Sequence, residues 1–131
     1  MSVTVGHELA PLVKPPVDRL QFVKYAGASG DFNRIHFEEA FAQAGGYKSV
    51  FAQGMLSMAF LGQLATRDFG GPRALRDLAV RFKAITWPGD VITCGGRVTA
   101  VDSAARRLTL ELWAKNQHGE TTCEGSAVLS F

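Results

Sequence analysis

The sequence lacks most of the features that would mark a specialised class of protein. Its 131 residues include two cysteines, no paired Cys/His spacing typical of zinc sites, and no apolar run near 18 residues. We therefore expect no metal site and no membrane span. Cys94 and Cys123 fall in strand-like segments and are expected to be reduced core thiols. Because the N-terminus has no basic region followed by an apolar run, we expect a cytoplasmic protein.

The chain also has little excess of either positive or negative charge. The 14 basic and 12 acidic residues leave a net charge of +2, too small to indicate a nucleic-acid or membrane surface. Hydrophobic residues make up 47% of the chain and charged residues 20%, as in ordinary globular proteins. The length predicts one domain over residues 1–131.

One segment combines two proton-handling side chains. Residues 25–36 read YAGASGDFNRIH, and in them Asp31 and His36 stand five positions apart among small residues. A carboxylate and an imidazole can divide the acid and base roles of a reaction. The many turn formers predict a loop, where reactive side chains are often found. The alternative is structural: an Asp-x-Asn run also forms Asx-turns and helix caps, and Asn33 either does this or holds the His36 ring.

The remaining pattern predicts helices followed by strands. Residues 1–16 form an extended arm, and two short helices surround the polar segment. A third helix is apolar nearly all round and is therefore predicted to be buried. Alternating residues then predict four antiparallel strands, one with a bulge at Gly95-Gly96. The predicted helices are 18–26, 38–44 and 54–66, and the strands are 78–84, 91–101, 108–115 and 123–131.

This order predicts an α+β domain whose antiparallel sheet wraps one buried helix. Such a sheet has an open edge and a concave face, both of which favour self-association. We therefore expect a homodimer, or a dimer with a closely related chain.

Two motifs resemble those of a known family. Residues 30–36 (GDFNRIH), with Tyr25 upstream and Ala42 six residues beyond the histidine, are similar to the hydratase motif of the MaoC-like family. Residues 51–56 (FAQGML) resemble its second signature, a glycine that opens the central helix. Two linked motifs in order are more specific than either alone. The resemblance covers roughly residues 17–131.

The resemblance implies a hotdog fold and a hydro-lyase. The family comprises (R)-specific enoyl-thioester hydratases and 3-hydroxyacyl-thioester dehydratases that form dimers by joining sheets. By analogy, Asp31 and His36 hold a water, and the Gly54 N–H at the start of the helix polarises the thioester carbonyl. Asn33 and Gln53 are supporting residues. The substrate is carried by coenzyme A or an acyl carrier protein, and no cofactor is expected. The alternative for Gly54 is that it merely starts a packed helix.

Two positions depart from the family pattern. Arg34 stands where the family has proline, which removes a constraint on the loop and adds a charge; we expect this arginine to point outward. Gln53 stands where many members have histidine, so that a polar group remains but a titratable one is lost.

Four further residues are candidates for substrate binding. Met55 and Met58 are either core residues or part of an acyl tunnel. Arg81 and Lys83 share a strand face and either are solvated or meet the phosphates of a coenzyme A or pantetheine carrier.

Two other functions stay open. A hotdog acyl-thioesterase would need a carboxylate on the central helix, and residues 55–66 contain none. A catalytically weak partner subunit of a heteromeric dehydratase is the second alternative. The presence of Asp31 and His36 is against this alternative, and Arg34 in place of proline leaves it open.

Overall fold

The computed structural model describes residues 2–131, which form helices in the first half and a sheet in the second. A two-residue strand precedes the helices, and 3₁₀ turns span Arg34–His36 and Pro72–Ala74. The helices are α1 (Arg19–Ser29), α2 (Glu39–Ala44) and α3 (Gly54–Arg67). The strands are β1 (Leu12–Val13), β2 (Leu75–Phe82), β3 (Thr93–Asp102), β4 (Arg107–Lys115) and β5 (Thr121–Ser130).

The five strands make one antiparallel sheet in the order β1-β3-β4-β5-β2. Helix α3 contacts all four long strands, and its buried residues pack on the inner face of the sheet. This confirms the predicted α+β fold, with a sheet wrapped around a central helix. The inner face is lined by fully buried side chains, among them Leu110, Leu112, Ala114, Cys123, Ala127 and Leu129. Strand β1 was not predicted, because two residues carry no periodic signal.

The predicted bulge at Gly95-Gly96 is wrong. These two glycines pair regularly with Trp113 and Leu112, and the irregularity lies between Val98 and Ala100. A Cβ atom on Gly95 would stand 2.4 Å from the Trp113 Nε1 atom, and one on Gly96 would stand 2.8 Å from Leu112 Cδ2. The glycines are there because side chains of the neighbouring strand occupy the space of a Cβ atom.

Helix α3 has one open side, contrary to the prediction of burial all round. Phe60, Leu61 and Leu64 are at most 4% exposed, whereas Met55 is 53% exposed. Ala59 and Gln63 are exposed on the same side. The sheet covers a single side of the helix, so an apolar side chain on the other side stays in contact with solvent.

Helix α1 runs three residues further than predicted, into the polar segment. The Asp18 carboxylate accepts from the Gln21 N–H at its start (2.7 Å). Gly30, with φ +77°, ends it by donating to the Ala26 carbonyl. Residues 25–29 are therefore helical rather than loop, since Phe22 and Ala26 are packed in the core and hold the last turns of the helix in place. Helix α2 and the start of α3 agree with the prediction.

The two cysteines are free and fully buried on the inner face of the sheet. Burial raises the pKa of Cys94 to about 12 and that of Cys123 to about 11, so both thiols are neutral at physiological pH. Within residues 2–131, the helices are too short or too polar to span a membrane. The same residues hold no group of three His, Cys, Asp or Glu side chains placed to bind a metal ion.

Candidate active site

Asp31 and Asn33 shape the polar segment through two nested turns. The Asp31 Oδ1 atom accepts from the Asn33 N–H (3.2 Å), and the Asn33 Oδ1 atom accepts from the Ile35 N–H (3.2 Å). Asn33 thereby caps the 3₁₀ turn that carries His36. The structural role predicted for this run is therefore present, and it leaves the second oxygen of Asp31, Oδ2, outside the turn.

The His36 ring is buried and held by the backbone of the loop before α3. Its side chain is 8% exposed, and its Nδ1 atom lies 2.8 Å from the Phe51 carbonyl oxygen. Because a carbonyl oxygen can only accept, Nδ1 carries the hydrogen and Nε2 of the neutral ring has a free lone pair. The Phe51 ring meets the imidazole edge-on at 5.3 Å. Phe51, rather than Asn33, orients the imidazole.

The free nitrogen of His36 faces Asp31. The distance from Nε2 to Asp31 Oδ2 is 3.6 Å, longer than a hydrogen bond, and the Asp31 side chain is 41% exposed. A water molecule placed beside the two atoms can donate a hydrogen to each of them. The pKa of Tyr25 is raised, first by burial and then by the negative charge of Asp31, so this phenol stays neutral next to the pair.

Arg34 points away from this pair, as predicted. Its guanidinium donates from Nε and Nη2 to the two carboxylate oxygens of Glu38 (2.8 and 2.7 Å) and lies 4.5 Å from the centre of the Phe41 ring. The hydrogen bonds with Glu38 raise the pKa of Arg34, and the same bonds lower the pKa of Glu38. The cation introduced in place of proline is thus occupied by a neighbour on its own side of the loop.

Gly54 begins α3 at the wall of a cavity of about 330 Å³. No side chain caps this end of the helix. The Leu56 N–H donates to the Gln53 carbonyl (3.0 Å), so the N–H groups of Gly54 and Met55 are the ones available to a ligand. A Cβ atom on Gly54 would stand 3.1 Å from the Phe82 ring, so that a larger residue would crowd the cavity. The cavity is lined by Phe51, Ala52, Gln53, Gly54, Ser57, Phe82, Lys83, Ala84, Ile85, Thr86 and Thr122.

Gln53 joins the start of α3 to α1. Its side chain is buried (1% exposed), and its Nε2 atom donates to the Phe22 carbonyl oxygen (2.9 Å). Its Oε1 atom is buried with no hydrogen-bond partner among residues 2–131. Gln53 therefore ties the residue before α3 to helix α1 and leaves one acceptor unused.

Of the four predicted substrate-binding residues, one lines the cavity beside Gly54. Lys83 lines the cavity beside Gly54, with its Nζ atom 3.2 Å from Glu124 Oε1. Arg81 lies on the outer face of the sheet, in a depression shared with Trp113. Lys83 follows the end of β2, but Glu124, which its ammonium contacts, pairs with Arg81 across the sheet and lines the same depression as Arg81, as expected for two residues on one face.

The two methionines are neither core residues nor part of the cavity wall. Met55 is more than half exposed and Met58 is half-buried, and neither lines the cavity beside Gly54. Their helical spacing matched a core stripe, but the burial of each position depends on which side of α3 the sheet covers.

An aromatic cluster that neither motif predicted lies next to His36. Phe51 contacts Tyr47 (4.7 Å between ring centres) and Trp87 (5.8 Å) as well as the imidazole. Lys48 lies over the Trp87 ring at 4.3 Å. Phe51 was visible in the second motif, whereas Trp87 comes from the turn after β2 and gave no local signal.

Comparison with known proteins identifies the family. The MaoC like domain model matches residues 3–121, and the chain therefore belongs to this family. The chain is 30% identical over 106 residues to the (R)-specific enoyl-CoA hydratase of Rhodospirillum rubrum, covering 80% of this chain and 73% of that protein. It is 29% identical to the 3-oxo-4,17-pregnadiene-20-carboxyl-CoA hydratase beta subunit of Mycobacterium tuberculosis, covering 90% of each.

Solved structures agree with this assignment. The (R)-hydratase from A. caviae involved in PHA biosynthesis superposes with a TM-score of 0.89 at 27% identity, covering 99% of this chain and 98% of that one. One chain of the ChsH1-ChsH2 complex from Mycobacterium tuberculosis matches with a TM-score of 0.87 at 25% identity, covering 99% of this chain and 99% of that one. The predicted hotdog fold and the predicted membership of a MaoC-like hydro-lyase family are both confirmed.

Proposed function

We propose that this protein reversibly hydrates a trans-2-enoyl thioester to an (R)-3-hydroxyacyl thioester. The observation that carries the proposal is the orientation of His36: the Phe51 carbonyl holds the hydrogen on Nδ1, so the free lone pair of Nε2 faces Asp31 at 3.6 Å. Two acceptors placed this way bind the two hydrogens of one water and leave its oxygen lone pairs for the substrate.

The reaction then needs one proton to move from water to carbon. As the water oxygen bonds to C3 of the enoyl chain, the Asp31/His36 pair takes one water proton and delivers a proton to C2. In the dehydration direction the pair removes the C2 proton and returns it to the departing hydroxyl. The reaction consumes one water, releases no thiol, and needs no redox cofactor.

The N-terminus of α3 serves the other end of the reacting group. Negative charge develops on the thioester oxygen during addition, and the uncapped Gly54 N–H donates to it with the help of the helix dipole. Glycine at this position leaves space for the thioester between the backbone and the Phe82 ring. We expect the acyl group to be carried by coenzyme A or an acyl carrier protein.

We also propose that the protein acts as a homodimer or with a closely related chain. Strand β2 is at the edge of the sheet, pairing with β5 alone within residues 2–131, and Phe82 at its end is 54% exposed. A second sheet edge satisfies the free backbone groups and covers this ring. Light scattering at micromolar concentration is expected to give twice the mass of one chain, and a monomer would contradict this proposal.

A partner-subunit role is the second candidate, because one relative is the beta subunit of a hydratase and a matched structure is a two-chain complex. The intact Asp31/His36 geometry favours an active chain instead. Hydratase activity of the purified chain without a second polypeptide is expected. Activity that appears only after a related chain is added would favour the partner-subunit role.

Crotonyl-CoA together with a free-thiol reagent separates the proposed function from its alternatives. The hydratase is expected to remove the enoyl-thioester absorbance without releasing thiol. Thiol release would instead identify a thioesterase. A panel of longer and cyclic enoyl thioesters extends the assay to other acyl groups, and the absence of both signals across that panel would contradict the proposal.

A further inference from the structure

We propose that the buried side-chain oxygen of Gln53 is a binding group for an amide N–H in the thiol arm of the thioester. This deepens the proposed function, since it takes the Gly54 N–H as the position of the thioester carbonyl. It assigns a specificity role to Gln53, which selects thioesters that carry a hydrogen-bond donor near the sulfur.

The orientation of the Gln53 amide follows from its contact with α1. Nε2 donates to the Phe22 carbonyl at 2.9 Å, and the opposite orientation would place two oxygens against each other. Oε1 must therefore be the free end, and it is buried without a donor. Buried acceptors in proteins are nearly always paired. Because Gln53 is one of the residues that line the cavity, we take a ligand in that cavity as the source of the missing donor.

The surroundings of Gln53 limit the chemistry of that ligand. Gln53 and Gly54 both line the cavity, and Gly54 carries a free N–H group at the start of the 14-residue helix α3. A ligand in the cavity needs an acceptor for the backbone N–H group and a donor for the Gln53 Oε1 atom. A simple anion has acceptors only and would meet the Gln53 oxygen unfavourably, whereas a ligand with a carbonyl and a nearby N–H or O–H matches both.

The position of the catalytic pair decides which part of the thioester lies near Gln53. Asp31 and His36 do not line the cavity that contains Gln53 and Gly54. A thioester bound through its carbonyl at Gly54 therefore directs its acyl chain towards the pair and its sulfur into the cavity. A thiol arm with an amide two methylene groups beyond the sulfur places an N–H in the cavity near Gln53. The 3-hydroxyl of the acyl chain, the other possible donor, remains near Asp31 and His36.

Binding of unreactive saturated thioesters tests this assignment without turnover. The probes are three butyryl thioesters. The first is that of N-acetylcysteamine, the second has a methyl group in place of the hydrogen on the same amide nitrogen, and the third is that of propanethiol, which has no amide. Affinities are measured from the amide shifts of ¹⁵N-labelled protein. The wild type is expected to bind the N–H probe at least about threefold more tightly than the N-methyl probe, as for one neutral hydrogen bond.

Gln53→Met retains the size of the side chain and removes the acceptor, and this variant is expected to abolish the preference. Gln63→Met is the matched control, because Gln63 is an exposed glutamine on the same helix, and it should keep the preference. The preference is the ratio of the affinities of one protein for the N–H and N-methyl probes. Partial unfolding of Gln53→Met would lower both affinities by the same factor and leave this ratio unchanged. The comparison of the N–H and N-methyl probes on the wild-type protein does not depend on the folding of any variant.

Two results would overturn the proposal. One is an equal affinity of the wild type for the N–H and N-methyl probes, and the other is a preference that Gln53→Met retains. A fourth probe, the 3-hydroxybutyryl thioester of propanethiol, tests the other donor: if Gln53→Met changes its affinity and not that of the amide probe, Gln53 binds the hydroxyl instead and our assignment is wrong. Hydration of crotonyl thioesters is measured separately, so failure of the proposed function and failure of this inference are distinguishable.

Discussion

Two acid–base pairs alternate along residues 31–38 and face opposite sides of the loop. Arg34 and Glu38 make two short hydrogen bonds in solvent, with side chains 56% and 42% exposed. Asp31 and His36 stand 3.6 Å apart, with the imidazole 8% exposed and fixed by a backbone carbonyl. The two carboxylates are about equally exposed (41% for Asp31 and 42% for Glu38), so the pairs differ in the nitrogen-bearing side chain: the guanidinium is exposed and the imidazole is buried.

The difference shows why a strong ion pair is a poor indicator of function. The guanidinium and carboxylate of the outward pair satisfy each other, and exposed pairs of this kind contribute little to stability. In the inward pair, Nε2 and Oδ2 are too far apart to bond directly and both remain acceptors. A third molecule completes that arrangement, and this is the property that a water-activating site needs.

The largest expected effect comes from the inward pair. Asp31→Asn and His36→Ala should each lower the hydration rate of the preferred enoyl thioester by at least ~10²-fold, because each removes a group that handles the proton. Initial rates from the loss of enoyl absorbance measure this. The matched controls are Glu38→Gln and Arg34→Gln, which should keep near-normal rates. Folded Asp31 or His36 variants with normal rates would remove our assignment.

Gly54→Ala is expected to have the second largest effect. The new Cβ atom would stand 3.1 Å from the Phe82 ring and enter the space of the thioester, so we expect kcat/KM to fall about tenfold or more. The double variant Gly54→Ala with Phe82→Ala separates the two causes. The contact with the ring should lower the stability of the Gly54→Ala protein, and removal of the ring in the double variant should restore that stability while kcat/KM stays low. Recovery of full activity would mean that Phe82, and not the thioester, needs the space at Gly54.

Arg34→Pro tests whether the outward pair is separate from the site. Arg34 is the first residue of the 3₁₀ turn, where proline is tolerated, and Asn33 already has φ −63° and ψ 120°, which suit a residue before proline. We expect an unchanged pH profile of hydration and a small effect on turnover. An acid limb displaced by about one pH unit or more would show that the Arg34 charge acts on the catalytic pair.

The smallest expected effect is on the ionisation of Tyr25. Burial and the Asp31 charge both raise the pKa of this phenol, so Asp31→Asn should lower its pKa while burial keeps it above the ordinary value. Phenolate absorbance during a pH titration measures this in a Tyr47→Phe background, which removes the other tyrosine. Glu38→Gln serves as the control and should leave the titration unchanged. A Tyr25 titration that Asp31→Asn does not move would contradict the placement of the Asp31 carboxylate beside the phenol.

Local patterns in the sequence were sufficient for the helices, the long strands and the two motifs. The start of α3 at Gly54 and the end of α2 before Gly45-Gly46 depend on residues within one turn of each boundary. The strands were predicted because alternation repeats over 8 to 10 residues. The bulge was misplaced because the need for Gly95 comes from Trp113 on another strand.

The residues of the site were visible in the sequence, but their chemical state was decided by tertiary contacts. The His36 tautomer depends on the Phe51 carbonyl 15 residues away, and the free oxygen of Gln53 depends on Phe22 at a separation of 31 residues. The contact of Lys83 with Glu124, which lines the depression next to Arg81, depends on how β2 pairs with β5. Propensity, capping and periodicity act over a few residues, so the sequence determined the elements and the candidate side chains. Hydrogen-bond partners and burial arise from residues brought together by folding, and the tertiary structure alone decided which lone pairs remain free.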